Sequence, residues 1–354
     1  KIEPRNSSIR YYLAQCYLVA GESEKAKNEI AYIKNNLPDD IYAHKAKNLE
    51  PKTLKKGKKY PLKLYFRNGF QYDSNVSLQP DKLKGLNENE DSARYVTYSW
   101  LEYTAFNQKP YSGGVIGSFY QSMHTESELQ RFNLSSFDFG PFFTFDVNIK
   151  GRNFQNRVEY RFLFDVLNGE SFCRTSQVHY RVATAITNWL DGAIYTQTNF
   201  SDFFYRDSLR NEKFLNRDAV NTESGIRLTV KLPRNMYVYT GYDYTNNDAE
   251  GTNWNYSRNR IFAEFATPVF TEKLYFYFLN EYYNRYFDPY EGSLYSTTAE
   301  RNENYYSFRP KLRYFINRSA SLETSYRYIK NEANIERFFE YHRNIFDVTF
   351  VYQY

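Results

Sequence analysis

From about Leu62 to the last residue the chain alternates ring or aliphatic side chains with charged or polar ones. Leu64, Phe66 and Phe70 share one face of the first such segment, and Lys63, Arg67 and Gln71 share the other. Successive side chains of a strand point to opposite sides, so a period of two describes strands with one apolar and one polar face. The split recurs at Phe154, Val158, Tyr160, Phe162 and Phe164 against Arg157, Glu159, Arg161 and Asp165. It returns at Val220, Ile226 and Leu228 against Glu223 and Arg227, and at Phe346, Val348, Phe350 and Tyr352 against Asp347 and Thr349. About 14 segments follow one another, starting near Leu62, Arg94, Tyr111, Arg131, Phe154, Phe172, Leu190, Ala219, Asn235, Trp254, Lys273, Asn304, Ser319 and Tyr341. Each reaches the roughly 9 to 11 residues that a tilted membrane-spanning strand needs.

The connections sort by parity. After even-numbered segments they are tight: 107–110, 149–152, 188–192, 232–235, 268–273 and 316–320. After odd-numbered ones they are mostly long and polar: 73–93, 123–130, 202–218, 245–253, 288–303 and 331–340, with 167–171 the short exception. A soluble sandwich has no reason to segregate loop length in this way. A transmembrane barrel has one, because its periplasmic turns are short and its extracellular loops long. The expected fold is therefore mainly β, a transmembrane antiparallel up-and-down barrel of about 14 strands over 61–354.

Composition agrees with this wall. Of 354 residues 20% are aromatic, as 37 Tyr, 30 Phe and 3 Trp. Mean hydropathy is −0.74, and no apolar run approaches the ~18 residues of a helical span. A barrel wall tolerates such polarity because every second side chain faces water. The formal charge is +5, from 46 Lys and Arg against 41 Asp and Glu, without the long basic runs of a nucleic-acid interface. Two cysteines, Cys16 and Cys173, make no disulfide framework and belong to no metal-ligand spacing. The first residues lack the pattern of a signal peptide, so an export signal is expected to have been removed or to lie outside this sequence.

Ahead of the alternation the period is helical. Tyr11, Leu13, Ala14, Tyr17 and Leu18 fall on one face, and Ala26, Ile30 and Ile33 continue after Gly21, up to Pro38. This predicts a helical segment over 1–50, including a capping stretch at 41–49, and a Lys-rich linker over 51–60. The spacing of Leu13, Ala14, Tyr17, Gly21, Ala26, Ile30, Ile33 and Pro38 resembles a tetratricopeptide repeat, with Arg10 departing from the apolar residue usual there. One such unit cannot bury its own face, so earlier repeats before Lys1 or another packing partner are expected. Cys16 reads as a core residue of this unit, although Leu13-Ala14-Gln15 before it gives a superficial lipobox.

A repeat unit leading into a barrel of this size resembles the outer-membrane translocators that combine both, most closely the surface lipoprotein assembly modifier (Slam-like) family. That resemblance implies export of a protein or polymer across a bacterial outer membrane. The helical segment would then be periplasmic and dock cargo, with Tyr11, Tyr17 and Tyr32 as docking candidates. The alternatives are a porin-like diffusion channel and an anchoring barrel that binds a partner through its loops and helices. Expected partners are outer-membrane lipid and a periplasmic or secreted protein, and no nucleic acid.

Assigning phases strand by strand puts Arg67, Arg157, Glu159, Arg161, Arg181, Arg227, Arg309, Lys311, Arg313 and Arg327 on the lumen side. Lys63, Lys231, Arg260, Glu102, Asp165, Glu223, Glu264, Glu281, Glu323 and Asp347 join them. Cross-strand ion pairs are the plainest role for any one of these residues. Arg309, Lys311 and Arg313 at period two on one segment point instead to a lumen that favours anions. No catalytic motif is present, no cofactor or metal is expected, and of the four histidines only His179 reads as luminal. The stretch Tyr72-Asp73-Ser74-Asn75-Val76 lacks calcium-loop spacing and reads as an Asx turn.

Overall fold

The alternation closes on itself. In the computed structural model fourteen antiparallel strands form one ring, each paired with its sequence neighbours, and β1 pairs with β14. The strands are β1 (Leu62–Asp73), β2 (Ser92–Gln108), β3 (Tyr111–His124), β4 (Leu134–Ile149), β5 (Arg152–Leu167), β6 (Glu170–Ala185) and β7 (Leu190–Phe203). They continue as β8 (Ala219–Leu232), β9 (Met236–Ala249), β10 (Tyr256–Val269), β11 (Thr271–Pro289), β12 (Glu300–Phe315), β13 (Ala320–Ala333) and β14 (Tyr341–Gln353). The structure describes residues 7–19, 22–37, 42, 45–46, 49, 61–78, 91–204, 216–289, 300–335 and 339–354. Parts of the long odd-strand loops and the expected linker lie outside these residues.

Strand number, order and phase agree with the sequence expectation, and boundaries shift by a few residues. The expected starts at Arg131 and Trp254 fall in short 3-10 turns, Ser127–Phe132 and Thr252–Trp254, and β12 begins at Glu300 rather than near Asn304. Two hairpins use the turn that matches strand twist. Lys150 and Gly151 have φ of 51° and 78°, and Asn168 and Gly169 have 51° and 80°, so both central positions are left-handed.

Outward positions carry a continuous apolar belt. Phe70, Phe139, Ile194, Ile226, Ile261 and Val348 each keep half or more of their surface exposed. Such a belt around a whole ring is a surface for lipid rather than water. Ring pairs on that face knit neighbouring strands, as at Tyr326–Phe346 (4.7 Å between centroids) and Tyr282–Tyr306 (5.1 Å). Closing the ring pairs every backbone group that lipid could not solvate. The last residue completes the seam: Leu64 N–H donates to the Tyr354 carbonyl at 3.0 Å and Tyr354 N–H to the Leu64 carbonyl at 2.9 Å.

Residues 1–60 form a separate unit. Its helices α1 (Ser7–Val19) and α2 (Ser23–Asn36) bury Ala14, Ile30 and Ile33 together with Ala46 and Leu49. Arg10, the departure from the repeat pattern, explains itself: it lies 2.6 Å from Glu29 and over the Tyr32 ring at 3.7 Å, fastening α1 to α2. Tyr32 is thereby engaged within the pair. Tyr11 packs on the small core, and Lys25 lies over Tyr17 at 5.5 Å. Cys16 is exposed, which corrects its reading as core: two positions from Ala14, it turns about 200° around the helix, away from the packed face.

Candidate functional site: the inner wall of the barrel

The inward faces of the strands carry most of the charged residues, and these side chains meet across the ladder. Every luminal candidate from the sequence lies on this inward face, including Arg67, Arg157, Glu159, Arg161, Arg181, Arg227, Arg309, Lys311, Arg313 and Arg327. Most of them fall into three groups.

The first group runs over β1 to β5. Glu102 accepts from Lys63 at 2.6 Å and from Arg157 at 2.8 Å. Arg157 also holds Glu159 at 2.5 Å, and Arg161 lies 3.4 Å from both Glu159 and Asp138. Glu102 is on β2 and Arg157 on β5, so this contact passes over two strands. Gly114 of β3 and Gly140 of β4 hold inward positions on those two strands. The Arg157 guanidinium rests on the Phe142 ring at 4.2 Å on the way.

The second group centres on Asp243 of β9, whose side chain is buried. Arg227 is paired with it, and Arg260 lies 3.3 Å away. The Tyr195 hydroxyl is 2.7 Å from Asp243 and 2.5 Å from Glu223, and accepts from Arg227 at 2.7 Å. Its single proton serves one carboxylate at a time. Arg258 holds Glu223 at 2.7 Å, while Glu281 lies 3.6 Å from both Arg260 and Arg327.

The third group lies at the seam. Arg67 donates to Asp347 at 3.0 Å, and Arg343 donates through Nε to Asp73 at 2.7 Å. Arg94 donates to Gln71 at 2.7 Å and lies 3.6 Å from Asp73. Asp73 also accepts from the Asn75 backbone N–H at 3.2 Å, the Asx turn expected there. Arg313 lies 3.3 Å from Glu323. Beside this group Tyr283 and Tyr305 stack at 4.3 Å over Ile329 and Ile345, lining the inner wall with apolar surface.

Three of the inward cations named from the sequence stand apart. Among the described residues Arg181, Arg309 and Lys311 have no carboxylate within 4.0 Å. Arg181 is exposed, Arg309 donates to the Ser325 hydroxyl at 3.2 Å, and Lys311 lies over the Tyr277 ring at 4.2 Å. Arg327 retains 31% of its side-chain surface, so the interior holds water-accessible space.

Sequence reasoning missed Asp73, Arg94, Asp138, Asp243, Arg258, Arg285, Arg301, Glu303 and Arg343, all inward. His124, at the last position of β3, is also inward and buried, so His179 is not alone among the histidines on that face. The register partner of His124, Arg94, is the expected start of the second segment, and carrying that segment's phase back to its first residue and on to β3 finds both. His179 is inward, opposite Glu159. Outside the spanning strands, Glu126 accepts from the Ser92 hydroxyl, which holds its carboxyl below the usual carboxylate range. Among the described residues no cluster of His, Cys, Asp and Glu could hold a metal ion.

No family model matches the chain, and no curated protein matches it. Solved structures do. The chain is similar to OccAB3 of Acinetobacter baumannii, with 10% identity over 83% of this chain and 98% of that one, at a TM-score of 0.43. It is similar to a bacterial polysaccharide outer membrane secretin (9%, 82% and 98%, 0.44) and to an anion-selective porin from Comamonas acidovorans (7%, 83% and 98%, 0.44). The comparisons bring no support for the tetratricopeptide or Slam-like resemblance. At these identities and scores, function rests on this chain's own inner wall.

Proposed function

We propose that this chain is a diffusion channel of the bacterial outer membrane, passing small polar solutes with a preference for anions. The observation that carries the reading is the set Arg181, Arg309 and Lys311, inward cations without a carboxylate partner among the described residues. Paired charges cancel at a distance, whereas unpartnered ones set the sign of the field in a narrow aqueous path. A ring of fourteen strands lies between barrels filled by side chains and the 16-stranded porins with open channels. An even strand count puts both barrel ends on one side, with the short turns, which supports a periplasmic side for residues 1–60 on this reading.

Swelling of proteoliposomes tests this reading. The expected result is faster entry of a small organic acid than of an amine of equal size, with the difference reduced in R181Q/K311Q. Equal, negligible entry of both would overturn it.

Export of a protein or polymer, with the α1–α2 segment docking cargo through residues such as Tyr11, is the second reading. It is favoured by the separate helical unit and by Tyr12, which is 55% exposed. Removing residues 7–36 would abolish export on that reading and leave solute entry unchanged on the first.

A further inference from the structure

We propose that the inner wall beside the β1/β14 seam holds a binding site for a doubly charged oxyanion of the phosphate or phosphate-ester class. The site deepens the channel reading and rests on it only for the route by which the anion arrives.

A cavity of about 360 Å³ opens there, lined by Arg67, Arg94, Arg309, Arg327, Arg343 and Asp347. A water in the liquid takes about 30 Å³, so the space admits an oxyanion with part of its hydration shell. Five arginines meet three carboxylates. Asp347 holds Arg67, Asp73 holds Arg343 with Arg94 at 3.6 Å, and Glu281 lies 3.6 Å from Arg327. The remaining excess is two positive charges, the complement of a dianion.

Arg309 is the free member. Its one hydrogen bond among the described residues goes to the Ser325 hydroxyl, which itself bonds Asp347. It sits one position past the Phe308–Tyr328 pair, beside Arg327 on the neighbouring strand. Like charges side by side on adjacent strands repel unless an anion lies between them. Guanidinium forks suit this task, because two parallel N–H donors match the spacing of oxyanion oxygens. The Tyr305 hydroxyl accepts from Arg327 at 2.8 Å and Ser307 from its Nε at 2.9 Å, so that fork is oriented before a ligand enters.

The test is calorimetric titration of the full chain in detergent with inorganic phosphate, at mildly alkaline pH and ionic strength held constant with chloride. The expected result is saturable binding that weakens by about tenfold or more in R309Q, the loss expected for one charge-assisted bond. R181Q, which removes an equally unpartnered arginine on another part of the ring, keeps wild-type affinity. Unchanged heat-modifiable migration of both variants shows that the barrels are folded. No saturable heat, equal binding in R309Q, or an equal loss in R181Q would overturn the site. Because titration needs no pore, a chain that conducts without binding phosphate refutes this inference alone. One that binds phosphate without conducting refutes the channel alone.

Discussion

The Tyr195 hydroxyl on β7 reaches Asp243 on β9 at 2.7 Å because the residue between them on β8 is Gly225. A Cβ at Gly225 would stand 2.2 Å from Asp243 Oδ1 and 2.8 Å from the Tyr195 ring. G225A is therefore expected to break the contact and to lower stability by about 1–3 kcal/mol, the range for forcing an extra methyl into a packed site. The midpoint of heat-modifiable migration on gels measures this. An unchanged midpoint would show that Tyr195 and Asp243 do not depend on the gap.

Glu281 lies 3.6 Å from both Arg260 and Arg327. Neutralising it as E281Q leaves Arg327 with only its hydroxyl partners Tyr305 and Ser307, while Arg260 keeps Asp243. Anion preference should rise in E281Q and fall in R181Q/K311Q. Permeability ratios from salt-gradient recordings read both changes, and a shift of the same sign in both variants contradicts the field argument.

The two faces of one strand should respond differently to the same charge. Ile226 faces outward and is half exposed to lipid, whereas Thr229 faces inward opposite Asp191. I226K is expected to cost about 2–4 kcal/mol near the membrane centre. T229K, beside a carboxylate and water, should stay within about 1 kcal/mol of the parent. Urea titration in lipid vesicles gives both values, and equal costs would mean that the phase of β8 is wrong.

Much of this wall was legible because alternation is local: in Phe154 to Asp165 all residues but Asn156 and Leu163 announce their side without knowledge of their partners. Legibility failed where aromatic residues occupy both faces. In β9, Tyr237 and Tyr239 point inward and Tyr242 and Tyr244 outward, so Asp243 could not be phased from its neighbours. It failed again at strand ends, where Asp73, Arg301 and Arg343 merge with loop polarity. The Glu102–Arg157 contact passes over two intervening strands, and its distance depends on ring curvature, which no single segment encodes. Cys16 was misplaced because a helix buries a narrow stripe, and apolar neighbours on either side of a position do not put it in that stripe.

In the helical unit the Arg10–Glu29 pair and the Arg10–Tyr32 stacking are partly buried, with 18% and 19% of the charged side chains exposed. R10A should weaken the packing of α1 on α2 by about 1 kcal/mol. Protease cleavage within residues 7–36 would report it, and cleavage at the parental rate would show that Arg10 does not fasten the helices.

The most direct measurement is the zero-current potential of single barrels in a planar bilayer under a potassium chloride gradient. An open pore whose potential has the sign of chloride selectivity, moving toward zero in R181Q/K311Q, is the predicted result. A barrel that stays closed, or one that selects potassium, would contradict an anion-preferring path through this lumen.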